Sequence, residues 1–294
     1  MDQTHSTPYE NALAYVVSRE RFGSKLGLAQ IGRLLERLGN PQDKLKCIHV
    51  AGTNGKGSTT AMIAGALTAA GYQTGMYVSP SVEMFAERIQ VNMQPADEAS
   101  LANAIFSVKA AADAMEAAGE GIPTEFEIVT AAAFLMYQQA GCDFAVLETG
   151  LGGRLDATNS FEHPIMTVIT SIGMDHMGIL GNTIEEIATE KAGIIKEGIP
   201  LCYDGTSDVA SEVIRMTAEK KHAPCRKIGK DAFEIREITD KQVAFSIVNG
   251  YDKNIIWTVA STGIYQMMNA TLAVSAMEEV LGKPSDTRKW KRAL

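Results

Sequence analysis

The order of elements along the chain predicts an α/β fold: a mostly parallel sheet with helices on both faces. Three observations carry it. Short apolar strands alternate with helical stretches from residue 46 to about 225. Those strands end in glycine or small polar residues, as strands feeding crossover helices do. One strand end opens into "GTNGKGS", a glycine-rich turn that leads straight into a helical pattern. Two leading helices, "YENALAYVVSRE" and "GLAQIGRLLERLG", occupy residues 1–45 and stop at Gly39-Asn40-Pro41. The strand "CIHVAG" is followed by a helix from Gly57 to Ala70, with Gly71 as its stop, and then by the strand "YQTGMYVS". Helices over 98–118 and 124–140 precede two apolar strands, "DFAVLETG" and "IMTVITSIG". "TIEEIATEKAGII" reads as a helix, "IPLCYDG" as a strand, and 206–221 as another helix. Residues 226–262 alternate apolar and polar with a turn at Asn249-Gly250, which predicts a small antiparallel meander. A closing helix runs from about Tyr265 to Leu281, within a final segment 263–294.

Composition narrows the function classes. The 294 residues carry a formal net charge of −8 and hold no block of basic residues, so binding nucleic acid or an anionic membrane by bulk charge is not expected. Any anionic ligand needs a local site. No apolar run approaches membrane-spanning length, and the polar start "MDQTHSTPYE" is no signal peptide, so a cytoplasmic protein is expected. Cys47, Cys142, Cys202 and Cys225 form no C-x-x-C pair and read as small apolar residues in a reducing compartment.

The turn at 52–58 has the chemistry of a phosphate cradle. Gly52, Gly55 and Gly57 let the backbone curl with its N–H groups inward, the helix adds the positive end of its dipole, and Lys56 adds a full charge. Val50 stands where the G-x-x-x-x-G-K pattern has its first glycine, so the loop alone is also compatible with a capped turn. The other strand ends weigh against that blander account. They deliver Ser79, Glu148 and Asp175-His176 to the same edge of the sheet, where ligands of parallel sheets bind. A hydroxyl, a carboxylate and an imidazole beside a phosphate loop suit Mg2+ that also grips a nucleotide.

These segments resemble the folylpolyglutamate synthase/dihydrofolate synthase family of Mur-ligase-like, ATP-dependent amide-forming enzymes. "HVAGTNGKGS" is similar to the family's phosphate loop, "SPSVEMFAERIQVN" to its substrate loop, and "LETGLGGRLDATN" to its signature. "TSIGMDHMGILGNTIEEIATEKAGIIK" resembles its metal and lysine segment, and "QMMNATLAV" its nucleotide-contacting helix. The resemblance runs in order from about Tyr9 onwards. It implies a P-loop core like the central domain of Mur ligases, with Asn54, Gly55, Lys56, Gly57 and Ser58 on the ATP phosphates and Asn269 on the adenine side. It implies that Ser79 and Glu148 bind one Mg2+ and that His176 helps bind a second. Lys191 matches a lysine that the family carbamylates with CO2; its spacing alone is equally that of a solvent-facing helix lysine. Leu28, Phe126, Glu127, Leu155 and Asp156 fall where the family holds its pterin-bearing substrate.

The implied reaction joins L-glutamate to a carboxylate of dihydropteroate or of tetrahydrofolate and its polyglutamates, at the expense of ATP, through an acyl phosphate formed by a monomer. Two departures qualify it. Where the family writes S-P-H-L and F-N-E-R, this chain has Ser79-Pro80-Ser81-Val82 and Phe85-Ala86-Glu87-Arg88. The sequence also stops at "RKWKRAL", before the family's W-P-G-R segment and its C-terminal Rossmann-like domain. A Mur-type ligase acting on another carboxylate, or an ATP-binding remnant with impaired catalysis, are the competing expectations.

Overall fold

A computed structural model describes residues 6–23, 27–175, 178–248, 255–260, 263 and 265–282. Eight strands form one sheet: β1 (Lys46–Ala51), β2 (Thr74–Tyr77), β3 (Ile89–Val91), β4 (Gln94–Pro95), β5 (Phe144–Glu148), β6 (Met166–Ile169), β7 (Leu201–Asp204) and β8 (Cys225–Ile228). Their order across the sheet is β4-β3-β2-β5-β1-β6-β7-β8. From β2 to β8 every neighbouring pair is parallel, and only β3 and β4 run antiparallel at one edge. The connection after β1 travels towards β2 and the one after β6 towards β7. The crevice between β1 and β6 is therefore where the connections diverge, the usual ligand position of such sheets.

Alternation along β1 sets the two layers. Cys47 and Ala51 point into one face, Ile48 and Val50 into the other, and all are fully buried. The first face is covered by α1 (Pro8–Ser18), α2 (Ala29–Arg37), α4 (Glu98–Ala117) and α5 (Glu125–Gln139), and beyond β6 by α6 (Ile184–Ala192) and α7 (Asp208–Lys220). The second face is covered by α3 (Lys56–Ala69) and α8 (Tyr265–Leu281), which pack on each other. Strands this thoroughly buried read as apolar runs in sequence, which is why the parallel core was legible.

The structure differs from the sequence reading in two places, at β3–β4 and at β8, and it forms the expected antiparallel meander. β3 and β4 lie in the stretch read as loop and helix approach; at three and two residues they are too short to show a period. β8 pairs in parallel with β7, so the large sheet extends past the expected boundary at 225 and 226. The meander is a separate three-stranded sheet, β11-β10-β9, made of β9 (Phe233–Ile238), β10 (Val243–Ile247) and β11 (Ile256–Val259). Its inner side chains Phe245 and Trp257 pack in the α8 cluster. The expected turn at Asn249-Gly250 lies outside the described residues. Among the described residues no helix is long and apolar enough to cross a membrane.

Local signals explain the helix starts. α5 opens with a reciprocal cap: Glu127 N donates to Thr124 Oγ1 at 3.3 Å, and Thr124 N donates to Glu127 Oε2 at 2.8 Å. Both residues are buried, so the cap also closes the polar end of a helix that lines the core. Thr124→Ala removes it; a loss of about 1–2 kcal/mol is expected in urea unfolding, and an unchanged midpoint would show that the cap carries no weight.

Candidate active site

The loop after β1 is pinned across the β1–β6 crevice. Thr53 N donates to Ser171 O at 2.8 Å, Ser171 Oγ donates to Asn54 O at 3.2 Å, and Thr53 Oγ1 accepts from Gly173 N at 3.2 Å. With 53 and 54 held on β6's exit, the chain turns at Gly55 in the left-handed region (φ +85°) and enters α3. A side chain at 55 would also strike Asn269, whose Oδ1 lies 2.3 Å from where its Cβ would be. The first-turn N–H groups of α3 have no intrahelical acceptors, so they face the crevice as an anion cradle. Lys56 folds back over it, Nζ donating to Thr53 O at 3.2 Å.

The next strand ends meet at the same point. Ser79 N, just beyond β2, donates to Glu148 Oε2 at 3.3 Å. The same oxygen lies 3.3 Å from the Cβ position of Gly57, so the carboxylate at the end of β5 rests directly against the phosphate loop. Glu148 is only 5% exposed. Burial pushes its carboxyl up to about 7, against the opposing pull of Lys56 and the Ser79 N–H, while Asp156 adds to the rise. α8 supplies the remaining wall: Gln266 Nε2 donates to Ser58 Oγ at 3.3 Å, and Asn269 Nδ2 donates to Gln266 Oε1 at 2.9 Å. Gln266 was not singled out in the sequence, although it begins the quoted "QMMNATLAV"; a polar residue three before Asn269 on a helix that is otherwise apolar was the available signal.

Lys191 is no solvent-facing lysine. It is 2% exposed, and its Nζ donates to Gly52 O at 2.6 Å. Burial, helped by the charge of Lys56, lowers its ammonium to about 8, with Asp175 and Asp156 pulling the other way. Its helix end carries the signature loop as well. Arg154 N donates to Glu190 O at 2.8 Å, and Asn159 Nδ2 donates to Gly193 O at 3.2 Å. A Cβ on Gly153 would come within 2.9 Å of the Glu190 and Lys191 carbonyls, so only glycine lets the loop lie on that helix end.

The residues expected to meet a pterin cluster at the other end of this loop. Phe126 packs against Gly150, its Cζ 2.4 Å from the Cβ position there, and Gly27 N, beside Leu28, donates to Leu155 O at 3.4 Å. Glu127 and Asp156 are engaged locally. Besides the cap, Glu127 Oε2 accepts from Gln30 Nε2 at 3.0 Å. Asp156 accepts from Leu151 N at 2.7 Å and from Thr158 N at 3.0 Å. Arg88, also unanticipated, pairs with Glu125 at 2.5 Å beneath the Phe85 and Phe126 rings. His176 lies outside the described residues.

The donor set fits Mg2+. That ion keeps several waters and binds one or two carboxylates together with substrate phosphates, and Glu148 beside Ser79 and the amide cradle offers that. Among the described residues no group of three or more His, Cys, Asp or Glu is assembled to cage a metal without such help.

Because Glu148's carboxyl rises from 4.5 to about 7 on folding, the folded chain holds a proton that the unfolded chain has lost. Its contribution to stability therefore falls as pH rises from about 4.5 to 7 and stays lower above. Without divalent cations, Glu148→Gln is expected to be the more stable protein at pH 8, by on the order of 1–3 kcal/mol. The gap should close towards pH 4.5. Urea titrations at both pH values check this; a wild type more stable at pH 8 would contradict it.

Known proteins share this fold. The Mur ligase middle domain family matches residues 50–277. The dihydrofolate synthase/folylpolyglutamate synthase of Bacillus subtilis is 44% identical over 276 residues, covering 92% of this chain and 64% of that protein. The folylpolyglutamate synthase structure from Thermotoga maritima superposes with a TM-score of 0.88 at 33% identity, over 97% of this chain and 65% of the other. An FPGS–AMPPCP–folate complex superposes at 0.86 and 32% identity, over 97% and 71%. The chain thus spans less than two thirds of the length of the Bacillus protein it matches. On this evidence the chain belongs to the Mur ligase family, in its folylpolyglutamate synthase/dihydrofolate synthase group.

Proposed function

We propose that this chain forms the ATP- and folate-binding part of a ligase that joins L-glutamate to the carboxylate of dihydropteroate or of a tetrahydrofolate. The observation that supports it most is the contact of Glu148 with Ser79 against the Gly57 turn, beside Lys56. A carboxylate resists amide formation because oxide is a poor leaving group. Its oxygen attacks the γ-phosphorus of ATP, the bond to ADP breaks, and an acyl phosphate forms. The amine of glutamate then attacks the acyl carbon, loses a proton, and phosphate leaves. The chain's own part is positioning and charge: the α3 amides and Lys56 hold the phosphates where negative charge builds. Mg2+, held by Ser79 and Glu148 with His176 serving a second ion, would neutralise charge on the phosphoryl oxygens. Asn269 and Gln266 border the nucleotide; Leu28, Phe126 and Leu155 border the pterin ring. The reading is of a monomer in the cytoplasm.

Lys191 belongs in this reading as a carbamate. An amine titrating near 8 is about one-tenth neutral at pH 7, enough to attack CO2. The ammonium first gives up one proton, the neutral amine forms the N–C bond to CO2 and loses a second, and what was a buried cation beside Lys56 becomes an anion suited to supporting a metal.

Calorimetry with Mg–ATP tests the nucleotide half. Binding by the 294-residue chain is expected, and Lys56→Ala should weaken it about ten- to a hundredfold. Undiminished affinity in that variant would remove the assignment. Saturable binding of dihydropteroate or tetrahydrofolate to the nucleotide-loaded chain tests the other half; refusal of both would point to a Mur-type ligase for a different carboxylate. For Lys191, mass spectrometry after O-methyl trapping in bicarbonate should find the peptide heavier by one trapped carbamate, and unmodified in Lys191→Arg. An unmodified wild-type peptide would overturn the carbamate.

A further inference from the structure

One buried hydrogen-bond chain is used by none of the above. His49, in the middle of β1, is fully buried, and its Nε2 lies 2.9 Å from Thr158 Oγ1. The Thr158 hydroxyl donates its single proton to Asp156 Oδ1 at 2.5 Å. That hydroxyl must then accept from His49, which assigns the imidazole proton to Nε2. The assignment has a cost that the structure displays: His49 Nδ1 is buried without a partner. Burial, with the nearby charge of Lys196, lowers the imidazolium to about 3, so the ring stays neutral and keeps this tautomer. Phe161 packs edge-on against the ring at 5.1 Å and fixes its plane.

What this chain holds is the loop, not the metal. Glu148 sits on β5 with Val50 of β1 beside it, and Thr149 N donates to Val50 O at 2.9 Å, so the sheet itself positions the metal side. Beyond Thr149 the backbone leaves the sheet. Its return is closed by Asp156, whose other oxygen accepts from Leu151 N at 2.7 Å. Gly150 backs Phe126 and Leu155 meets the Leu28 segment, so the shape of residues 150–156 sets the wall on that side.

We propose that His49 and Thr158 are positioning residues for the folate-type substrate, acting through Asp156 to fix the 150–156 loop that receives its ring end. The inference rests on the functional reading above and adds to it two residues that touch no ligand. Removing the Thr158 hydroxyl strands the buried His49 N–H and takes one of two donors from Asp156 Oδ1, which keeps the Thr158 N–H at 3.0 Å, so the loop must rearrange to satisfy the imidazole.

The test uses Thr158→Val, nearly the same volume without the hydroxyl, and Thr158→Ser, which keeps it. Calorimetry of the 294-residue chain should show dihydropteroate affinity falling about tenfold in the Val variant with Mg–AMPPCP affinity within about twofold, and recovery in the Ser variant. Unchanged dihydropteroate affinity in Thr158→Val overturns the proposal. So does an equal loss of both ligands tracking a lower melting temperature, which would mean a structural role alone. Imidazole 15N shifts give a readout without ligand: a neutral ring protonated at Nε2 from pH 5 to 8 is expected, and a proton on Nδ1 overturns the relay. A wild-type chain that binds nucleotide but neither dihydropteroate nor tetrahydrofolate strikes the functional reading itself, and this inference falls with it.

Discussion

The amine of Lys191 reaches from the end of α6 to the carbonyl of Gly52, 2.6 Å away, and joins two loops that the sheet alone would leave independent. On one side of that bond is the glycine turn entering α3. On the other is the helix end on which the signature loop lies, through Arg154 N to Glu190 O and the close approach of Gly153. Moving α6 by the width of one methyl group would shift both the phosphate cradle and the 150–156 loop. The charges express the same constraint. Burial raises Glu148 and lowers Lys191, so both groups are shifted towards their neutral forms. Under the function proposed above, a triphosphate with its cations would complete the charge balance of this site.

Much of this was legible before any coordinates, and the reason is local chemistry. Glycine turns, buried parallel strands and a last helix all write their signals within a few residues, as at Gly55-Lys56-Gly57 and in "DFAVLE". The arrival of Ser79 and Glu148 at one edge followed from strand order alone, because parallel strands deliver their ends to the same side. What stayed hidden is non-local. Nothing around Lys191 distinguishes a buried amine from an exposed one, since the neighbours that desolvate it come from the β1 and signature loops. His49 and Thr158 meet across 109 positions of sequence. β3 and β4 were too short to show a period of their own, and β8, Cys-Arg-Lys-Ile, lacks the apolar run of the other parallel strands.

Glu127 shows how a family resemblance and local physics can speak about one residue in different terms. The pattern Thr124-Glu125-Phe126-Glu127 is a capping box readable in the sequence, and the structure forms it, with Gln30 Nε2 as a further donor. The resemblance sets the same residue against a substrate. The two are compatible when the cap is seen as what aims its neighbour: fixing the first turn of α5 fixes the direction of Phe126, whose ring fills the space left by Gly150. The cap carboxylate thereby also determines where the Phe126 face lies.

The same logic reaches the far end of the chain. Asn269 Oδ1 occupies the space that a side chain at position 55 would need, so the left-handed turn and the α8 contact impose glycine there independently. α8 in turn is held by the three-stranded sheet, whose Phe245 and Trp257 bury against it rather than against the large sheet's helical face. Among the described residues that small sheet contributes no polar group to the glycine turn entering α3. Its effect is transmitted by packing: it fixes the height of α8, α8 fixes Gln266 and Asn269, and these set the outer wall of the loop that Lys56 closes from within. Because packed interiors give little, an error of position in that sheet would be passed to the cradle almost undiminished.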